Sequence, residues 1–502
     1  VSPRLAAIAL AVGLAGGCKR PEVRPVGPAA APASVRLFVT ADLRGMLAPC
    51  GCSEEMKGGI ARAAQQLASA RGTDASVWFV DAGDALFGRA KLSPAEVPQA
   101  ERKARAVAEA FKKMGLAARA TGELDDALGA DFRRSLGLPE VASGGFDLLD
   151  AQGHRLAVAA ADDGEALAMA AKKARAAGAE FVLGLLHQPM AAAQKAAELP
   201  GMQADLIIAA HGADGLATDT DQLVRGAVPV AKVEGKGRSL LRLDLEFGGA
   251  AGERLELLRG RAESDREVAA TSERIELLRR QLDDPSLRPD TRKMRRDKLE
   301  ELVLRREALV AQPPLAPEGK ASFFARFIPL EPALASDPAV KEVVVTYDRE
   351  VGALNLSWAK ANGHDCPAPA QGEASFVGNE PCRACHAAAF PSWETSKHAR
   401  AYATLEQDGK NFDLDCVRCH VTGSDRPGGV CRIDKVEGRK GVGCEACHGP
   451  GSLHVATPEE ENIAMPSQAK ACTGCHDPEN SRHFELGTFT NQILGAGHGM
   501  PR

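Results

Sequence analysis

Apolar positions along the chain fall into three regimes. From residue 35 to about 248, short apolar runs alternate with helical stretches, which predicts an α/β fold. The runs at 35–40, 77–80, 181–186 and 206–210 read as buried strands. Asp42, Asp84, His187 and His211 follow these runs directly or within a few residues. In α/β sheets, ligands collect outside the carboxyl ends of strands, so these four side chains are expected to converge. Residues 253–312 are rich in Arg, Glu and Leu. Val268, Ile275, Leu278 and Leu282 are spaced by seven, three and four, Asp283-Asp284-Pro285 breaks the pattern, and Leu299, Leu302, Val303, Leu309 and Val310 resume it. This predicts an antiparallel helical hairpin, a spacer or a self-association contact with a solvated charged face. Pro313-Pro314 ends it, and a connecting segment follows over 313–365 with a strand expected at 343–347. From 366 to 502 the chain is Gly-, Pro- and His-rich with little periodicity.

That last regime carries the plainest chemistry. Cys-x-x-Cys-His occurs four times: Cys382 and Cys385 with His386, Cys416 and Cys419 with His420, Cys444 and Cys447 with His448, and Cys472 and Cys475 with His476. Two thiols at this spacing reach the vinyl groups of one porphyrin, and the adjacent imidazole reaches its iron, so each copy is a haem c attachment motif. Zinc sites do not require a His in that place. Four haems in about 137 residues leave no room for an independent apolar core, so the porphyrins are expected to be the core of a haem-dense, mostly α or irregular domain.

Composition narrows the setting. The 502 residues allow two or three domains, and a net charge of −5 supplies no basic field for a nucleic acid polymer. Covalent haem attachment implies export to an oxidising compartment. The amino terminus agrees: Arg4, an apolar run over 5–14, then Ala15, Gly16, Gly17 and Cys18 have the layout of a signal peptide. Ending on Cys, residues 1–17 resemble a lipoprotein signal, although Ala15 stands where Leu is usual. Cys18 is the expected lipidation site, 18–34 a Pro/Ala tether, and the chain is expected on the periplasmic or cell-surface side, anchored by lipid to a bacterial membrane.

Thr40-Ala41-Asp42-x-x-Gly45, Gly58-Gly59-Ile60-Ala61-Arg62, Asp81-Ala82-Gly83-Asp84, Thr121-Gly122-Glu123, Leu186-His187 and Ile207-Ile208-Ala209-Ala210-His211 resemble, in this order, the calcineurin-like metallophosphoesterases, in particular the catalytic domain of 5′-nucleotidases. The resemblance implies a β-sandwich flanked by helices over 35–250 and a pair of metal ions. The sequence departs from the family's ligand set: Arg44 replaces the first His, Glu123-Leu124 replaces Asn-His, and Ala213 replaces the last His. Asp42, Asp84, Glu123, His187 and His211 remain, a set suited to one Zn, Mn or Fe ion. Two-metal hydrolysis needs a pair of ions, so weak phosphoesterase activity or none is expected. Cys50 and Cys52 sit just after Asp42. They could form a small-loop disulfide, bind a soft metal or haem iron, act as a redox pair, or bridge to Cys366 or Cys431.

Trp393-x-x-Ser396-x-His398-Ala399, Cys419-His420-Val421-Thr422-Gly423 and Cys447-His448-Gly449-Pro450-Gly451-Ser452-x-His454 resemble the multihaem cytochromes of the nitrification type. The resemblance implies that His398 and His454 are distal haem ligands. His498 fits loosely, with His364 and His483 in reserve. Three functions are compatible with these readings: electron transfer with redox proteins as partners, metal-dependent phosphoesterase action with accessory haems, and oxidoreductase action on a small nitrogen or sulfur species.

Overall fold

A computed structural model of the chain describes residues 33–49, 56–72, 76–151, 153–211, 222–247, 254–258, 261–282, 289–311, 321–464, 468–476, 481, 484–495 and 497–498. The signal, Cys18, most of the tether, Cys50, Cys52, Ala213 and His483 lie outside the described residues.

The first sheet begins with β1 (Ala33–Thr40), helix α1 (Ile60–Arg71), β2 (Ser76–Asp81), α2 (Val97–Met114) and β3 (Leu116–Arg119). Short α3 (Ala130–Ser135) leads to the second sheet: β4 (Gly145–Ala151), β5 (His154–Ala161), α4 (Gly164–Ala176), β6 (Phe181–Leu186), α5 (Met190–Ala197), β7 (Leu206–Ala209), β8 (Gln222–Val224) and β9 (Val230–Lys232). The chain then returns to the first sheet through β10 (Ser239–Phe247) and β11 (Glu256–Leu258). Helices α6 (Arg261–Leu282) and α7 (Pro289–Ala311) form the expected hairpin, and β12 (Ser322–Pro329) and α8 (Pro338–Asn362) complete this half. The strand orders are β11-β12-β10-β1-β2-β3 and β4-β5-β6-β7-β9-β8.

The two sheets face each other over an apolar layer that includes Leu37, Val39, Phe181, Leu183, Ile208 and Phe323. In β10, Leu241, Leu243, Leu245 and Phe247 are buried in this layer while the residues between them are not, the period-2 pattern of a strand with one buried face. Phe38 and Phe79 point the other way and meet α1, α2 and α8, while α4 and α5 cover the outer face of the second sheet with Leu167, Ala170 and Ala193. The expected sandwich flanked by helices is therefore present. β1 and β2 run parallel, as do β5, β6 and β7, so the carboxyl ends that carry Asp42, Asp84, His187 and His211 are grouped by direction.

Two expectations for 313–365 are corrected. No strand occupies 343–347; those residues lie within α8. Val340, Val343, Val344, Tyr347 and Val351 are buried on one side of the helix, Asp337 caps it by accepting from the Val340 amide at 2.9 Å, and Pro338 opens its first turn. Packing of this face against α2 overrides the strand preference of its valines. The segment is also more than a connection, because β12 pairs along its length with β10 and makes the hairpin an insertion between adjacent strands.

From 366 onward the elements are short: α9 (Glu380–Arg383), α10 (Ala389–Glu394), α11 (Ala401–Gln407), α12 (Leu414–His420), α13 (Cys444–His448), α14 (Ser452–Ala456), α15 (Gln468–Cys472) and α16 (Leu486–Ile493). One small cluster around Tyr402, Leu405, Val417 and Ile433 is their only sizeable apolar core among the described residues. A disulfide joins Cys366 to Cys431, which removes the reading that either cysteine bridges to Cys50 or Cys52. Among the described residues, no helix is long and apolar enough to cross a membrane.

Candidate functional site

At the strand ends of the sandwich, Asp84, His187 and His211 come together. One ligand atom from each lies within 4.8 Å of the others, the only such group of three among the described residues. The two imidazole centroids are 4.5 Å apart. Asp84 Oδ2 lies 3.5 Å from His211 Nδ1 and 3.8 Å from His187 Nε2, while Asp84 Oδ1 accepts from the Leu124 amide at 2.9 Å. Asp84 Oδ2, His187 Nδ1 and His211 Nδ1 are buried and make no hydrogen bond. Buried polar atoms are rarely left so; Asp84 Oδ2 and His211 Nδ1, 3.5 Å apart, with His187 Nε2 beside them, suit a cation. Burial, then the charge of Asp125, raises the Asp84 carboxyl to about 6. Burial, then His211, lowers His187 and keeps it neutral, which is the form that binds metal.

The backbone is bent to build this group. Asp42, Arg44, Asp84 and His211 all have positive φ, at 49°, 51°, 52° and 143°. Non-glycine residues seldom adopt such angles, and strain of this kind collects at functional sites. Gly122 is required by space: a Cβ there would stand 1.9 Å from Asp84 Oδ1 and 2.7 Å from His187 Cε1. The remaining expected ligands sit outside the tight group. Asp42 is buried and acts on His187 through its charge; Glu123 is exposed, and its amide, 3.5 Å from His187 Nε2, is what faces the cleft.

Beneath the cleft lies a network that sequence reasoning missed. Asp125, fully buried, accepts from the amides of Asp84, Ala85, Leu86 and Gly122, each at 3.0 Å, and pairs with the buried Arg119 guanidinium at 2.5 Å. Arg119 also faces Asp81 and Glu140. Burial raises Asp81 to about 7 despite that cation. One carboxylate thus fixes the loop of Asp84 and the turn of Gly122 together. The only local signal is the spacing of Asp125, three residues after Gly122, as in a capping box.

In the C-terminal region each attachment motif closes one helical turn. The amides of His386 and His476 bond the carbonyls of Cys382 and Cys472 at 2.9 and 2.8 Å, and α12 and α13 contain the other two motifs. The eight motif cysteines are thiols outside any disulfide. Seven are half-buried, Cys475 among them, and its amide donates to Cys472 O at 3.1 Å. Cys385 differs. It is exposed, as are all residues from 383 to 388.

Three motif imidazoles face a distant one: His386 and His454 have centroids 6.2 Å apart, His476 and His398 6.1 Å, and His448 and His498 6.2 Å. Metal–imidazole bonds run about 2 Å, so an iron held between two opposed rings separates their centroids by roughly 6 Å. The residues therefore fit haem iron. Nδ1 of His420, His454 and His476 bonds Ala401 O, Glu459 O and Ser481 Oγ at 2.5, 2.9 and 2.9 Å, which leaves Nε2 for a metal. Burial, then its facing imidazole, lowers both His398 and His448. His364 is exposed, and no ring contact places it against another imidazole among the described residues.

The pairs are held by contacts with no sequence signature. Glu445, buried inside the third motif, accepts from the amides of Val377 at 2.9 Å, Gly378 at 2.7 Å and Gly451 at 2.8 Å. It ties the approach to the first motif to the loop that carries His454. Trp393 Nε1 donates to Val442 O at 2.8 Å, and the Val442 amide donates to His398 O at 3.0 Å, so the Trp-x-x-Ser-x-His turn is pinned before the third motif. Thr422 bridges Gly441 O and the Gly443 amide at 2.9 and 2.8 Å, joining the second motif to the same place.

Residues 381–449 match the family described as Cytochrome c554 and c-prime. Cytochrome c-554 of Nitrosomonas europaea is 36% identical over 94 residues, covering 16% of this chain and 40% of that protein. This chain therefore spans less than half the length of that relative. Among solved structures, a 5′-nucleotidase precursor from Thermus thermophilus shares 14% identity and a TM-score of 0.42 over 85% of this chain and 74% of its own. A calcineurin-like phosphoesterase from Bacillus subtilis shares 16% and 0.35 over 44% and 87%. A cytochrome c554-type region and an α/β sandwich are joined in one polypeptide.

Proposed function

We propose that this chain is an exported electron-transfer protein that holds four haem c groups and exchanges electrons with redox proteins. The observation that carries this is the set of three opposed imidazole pairs at 6.1–6.2 Å, each joining an attachment motif to a His outside that motif. Haem c, when bound, supplies reversible one-electron chemistry. The chain's own residues attach it through paired thiols, orient imidazoles through Nδ1 bonds, and hold the motifs in register through Glu445, Trp393 and Thr422. The N-terminal signal layout and the Cys366–Cys431 disulfide support an oxidising compartment outside the cytoplasm, with a lipid anchor at Cys18.

The sandwich, in this reading, binds one divalent ion at Asp84, His187 and His211 and does not carry out two-metal hydrolysis. Its tight ligand group offers three donors, and Arg44 and Leu124 stand where the family would have further imidazoles.

Purified holoprotein tests both parts. The expected outcome is four haem additions by intact mass, about one equivalent of non-haem metal, and no metal-dependent phosphate release. Replacing His454 with Ala should convert one haem from low to high spin in the oxidised spectrum. Phosphate release abolished by Asp84→Ala would overturn the reading of the sandwich. An unchanged spin state in His454→Ala would overturn the pairing with His386.

A further inference from the structure

The joint between the two halves is polar and specific. Gln99 and Lys103 on α2 and Asn355 on α8 meet the segment that leads into the second motif. Gln99 Nε2 donates to Asp413 Oδ1 at 2.7 Å and Asp415 Oδ2 at 3.1 Å, and Gln99 Oε1 accepts from the Leu414 amide at 3.0 Å. Asn355 Nδ2 donates to Phe412 O at 2.8 Å and to Gln99. Lys103 Nζ pairs with Asp415 and lies 5.8 Å from the centre of the Tyr347 ring. The Lys103 side chain is only 15% exposed, and Asp415 is 48% exposed. On its other side the Lys103 stem packs under Gly45, where a Cβ would stand 2.9 Å from Cδ. Lys103 is thus a fixed charge, lodged between the loop that carries Asp42 and the residue that immediately precedes Cys416.

We propose that Lys103 and Asp415 form a charge pair through which the α/β sandwich sets the potential of the haem held by Cys416, Cys419 and His420. The inference rests on haem attachment at that motif. The physical ground is Coulombic. A carboxylate one residue from a thioether bond favours the oxidised iron, and a nearby cation offsets that preference. Lys103 is placed to do so because it is packed on both sides and cannot swing into solvent without losing those contacts. The wider site also contains Asp413, which caps α12 by accepting from the Asp415 amide at 3.0 Å, Asp348, which lies in the field of Lys103, and Arg89, which acts on Asp415 from further off. Lys103 is therefore a positioning residue for a redox centre on the other half of the chain.

Spectroelectrochemical titration of the full holoprotein tests this. Lys103→Met should lower one of four midpoint potentials by about tenfold in the redox equilibrium, about 59 mV for a one-electron couple, and leave three in place. Asp415→Asn, nearly isosteric and able to keep its bond to Gln99, should raise that same potential. Lys103→Arg should restore it. Opposite shifts of one haem are not expected from a merely structural contact. Haem bound at 416–420 with all potentials unchanged, or both variants shifting in the same direction, would overturn the charge pair alone. A peptide spanning 416–420 without haem mass would overturn it together with the haem assignment there.

Discussion

The two halves of the molecule solve the same problem in opposite ways. The sandwich has three apolar clusters between and around its sheets, and its candidate ligands are carried on strand ends that the core fixes before any ion arrives. The C-terminal region has one small cluster, helices of four to eight residues, and imidazoles opposed across a gap wide enough for an iron. In the first half the fold makes the site. In the second, the groups that fill the sites must supply most of the buried surface. The same contrast runs through the polar contacts: Asp125 braces an already stable loop, whereas Glu445 and Thr422 join segments that have little else to hold them.

The largest effect should come from withholding haem. Expressed without the haem-attachment machinery, the chain should lose protection from about 366 to its end while residues 33–362 resist proteolysis. Coupling of cofactor binding to folding is the reason. A haem-free C-terminal region as resistant as the sandwich would break the contrast. The disulfide alone should not rescue it, although closing the 65-residue separation between Cys366 and Cys431 contributes about 4 kcal/mol on the chain-entropy estimate.

Next comes the brace beneath the cleft. Asp125→Ala removes the nearest partner of the fully buried Arg119, which keeps Asp81 and Glu140, and leaves four backbone amides without their acceptor. Removing one partner of a buried ion pair costs about 3–5 kcal/mol. Calorimetry of the full chain should show it as a lower melting temperature for the sandwich, with haem spectra unchanged. Gly122→Ala should act through space and not through the backbone, because φ −110° and ψ 174° are open to alanine but a Cβ would stand 1.9 Å from Asp84 Oδ1. Its effect should fall on metal affinity, weakened about 100-fold by the crowding of Asp84 and His187. Zinc titration by calorimetry separates the two variants; equal affinities in Gly122→Ala and the parent would mean that the cleft has another arrangement when filled.

Much of the outline was legible in the sequence, and the reasons are physical. Strand-end positions follow from apolar runs because a parallel sheet orders its carboxyl ends by direction, which brought Asp84, His187 and His211 to one point. Thiol spacing reports haem attachment because porphyrin geometry fixes it, and His398 and His454 stand at motif-defined distances from their turns. Spacing says nothing of cover, however: Cys385 and Cys475 hold the same place in their motifs, yet the first is exposed and the second half-buried. What was hidden depends on contacts between residues remote in sequence. Asp125 with Arg119, Glu445 with Gly378, and Gln99 with Asp413 have no periodicity to betray them. The helix through Val343 and Val344 was misread because a short run of β-branched residues has strand propensity, and only its packing on α2 decides otherwise. Glu123 was read as a ligand from its place in a motif, yet the turn directs its backbone to the cleft and leaves the residue exposed.

The smallest predicted effect is the sharpest on mechanism, because only the preformed half should show it. Burial and Asp125 hold the Asp84 carboxyl at about 6, above its ordinary 3.8. The apo fold therefore keeps this proton more readily than the unfolded chain does, and Asp84's contribution to stability falls as pH rises from about 4 to about 6. Metal binding needs the carboxylate, so the ion must displace that proton below about pH 6. Through Asp84, zinc affinity should fall about tenfold for each pH unit below this value. His187, lowered by burial and by His211, holds its proton less readily than an ordinary imidazole. Asp84→Asn should bind weakly and lose the break near pH 6. A break that survives in Asp84→Asn would place the competing proton on another group and remove Asp84 from the ligand set.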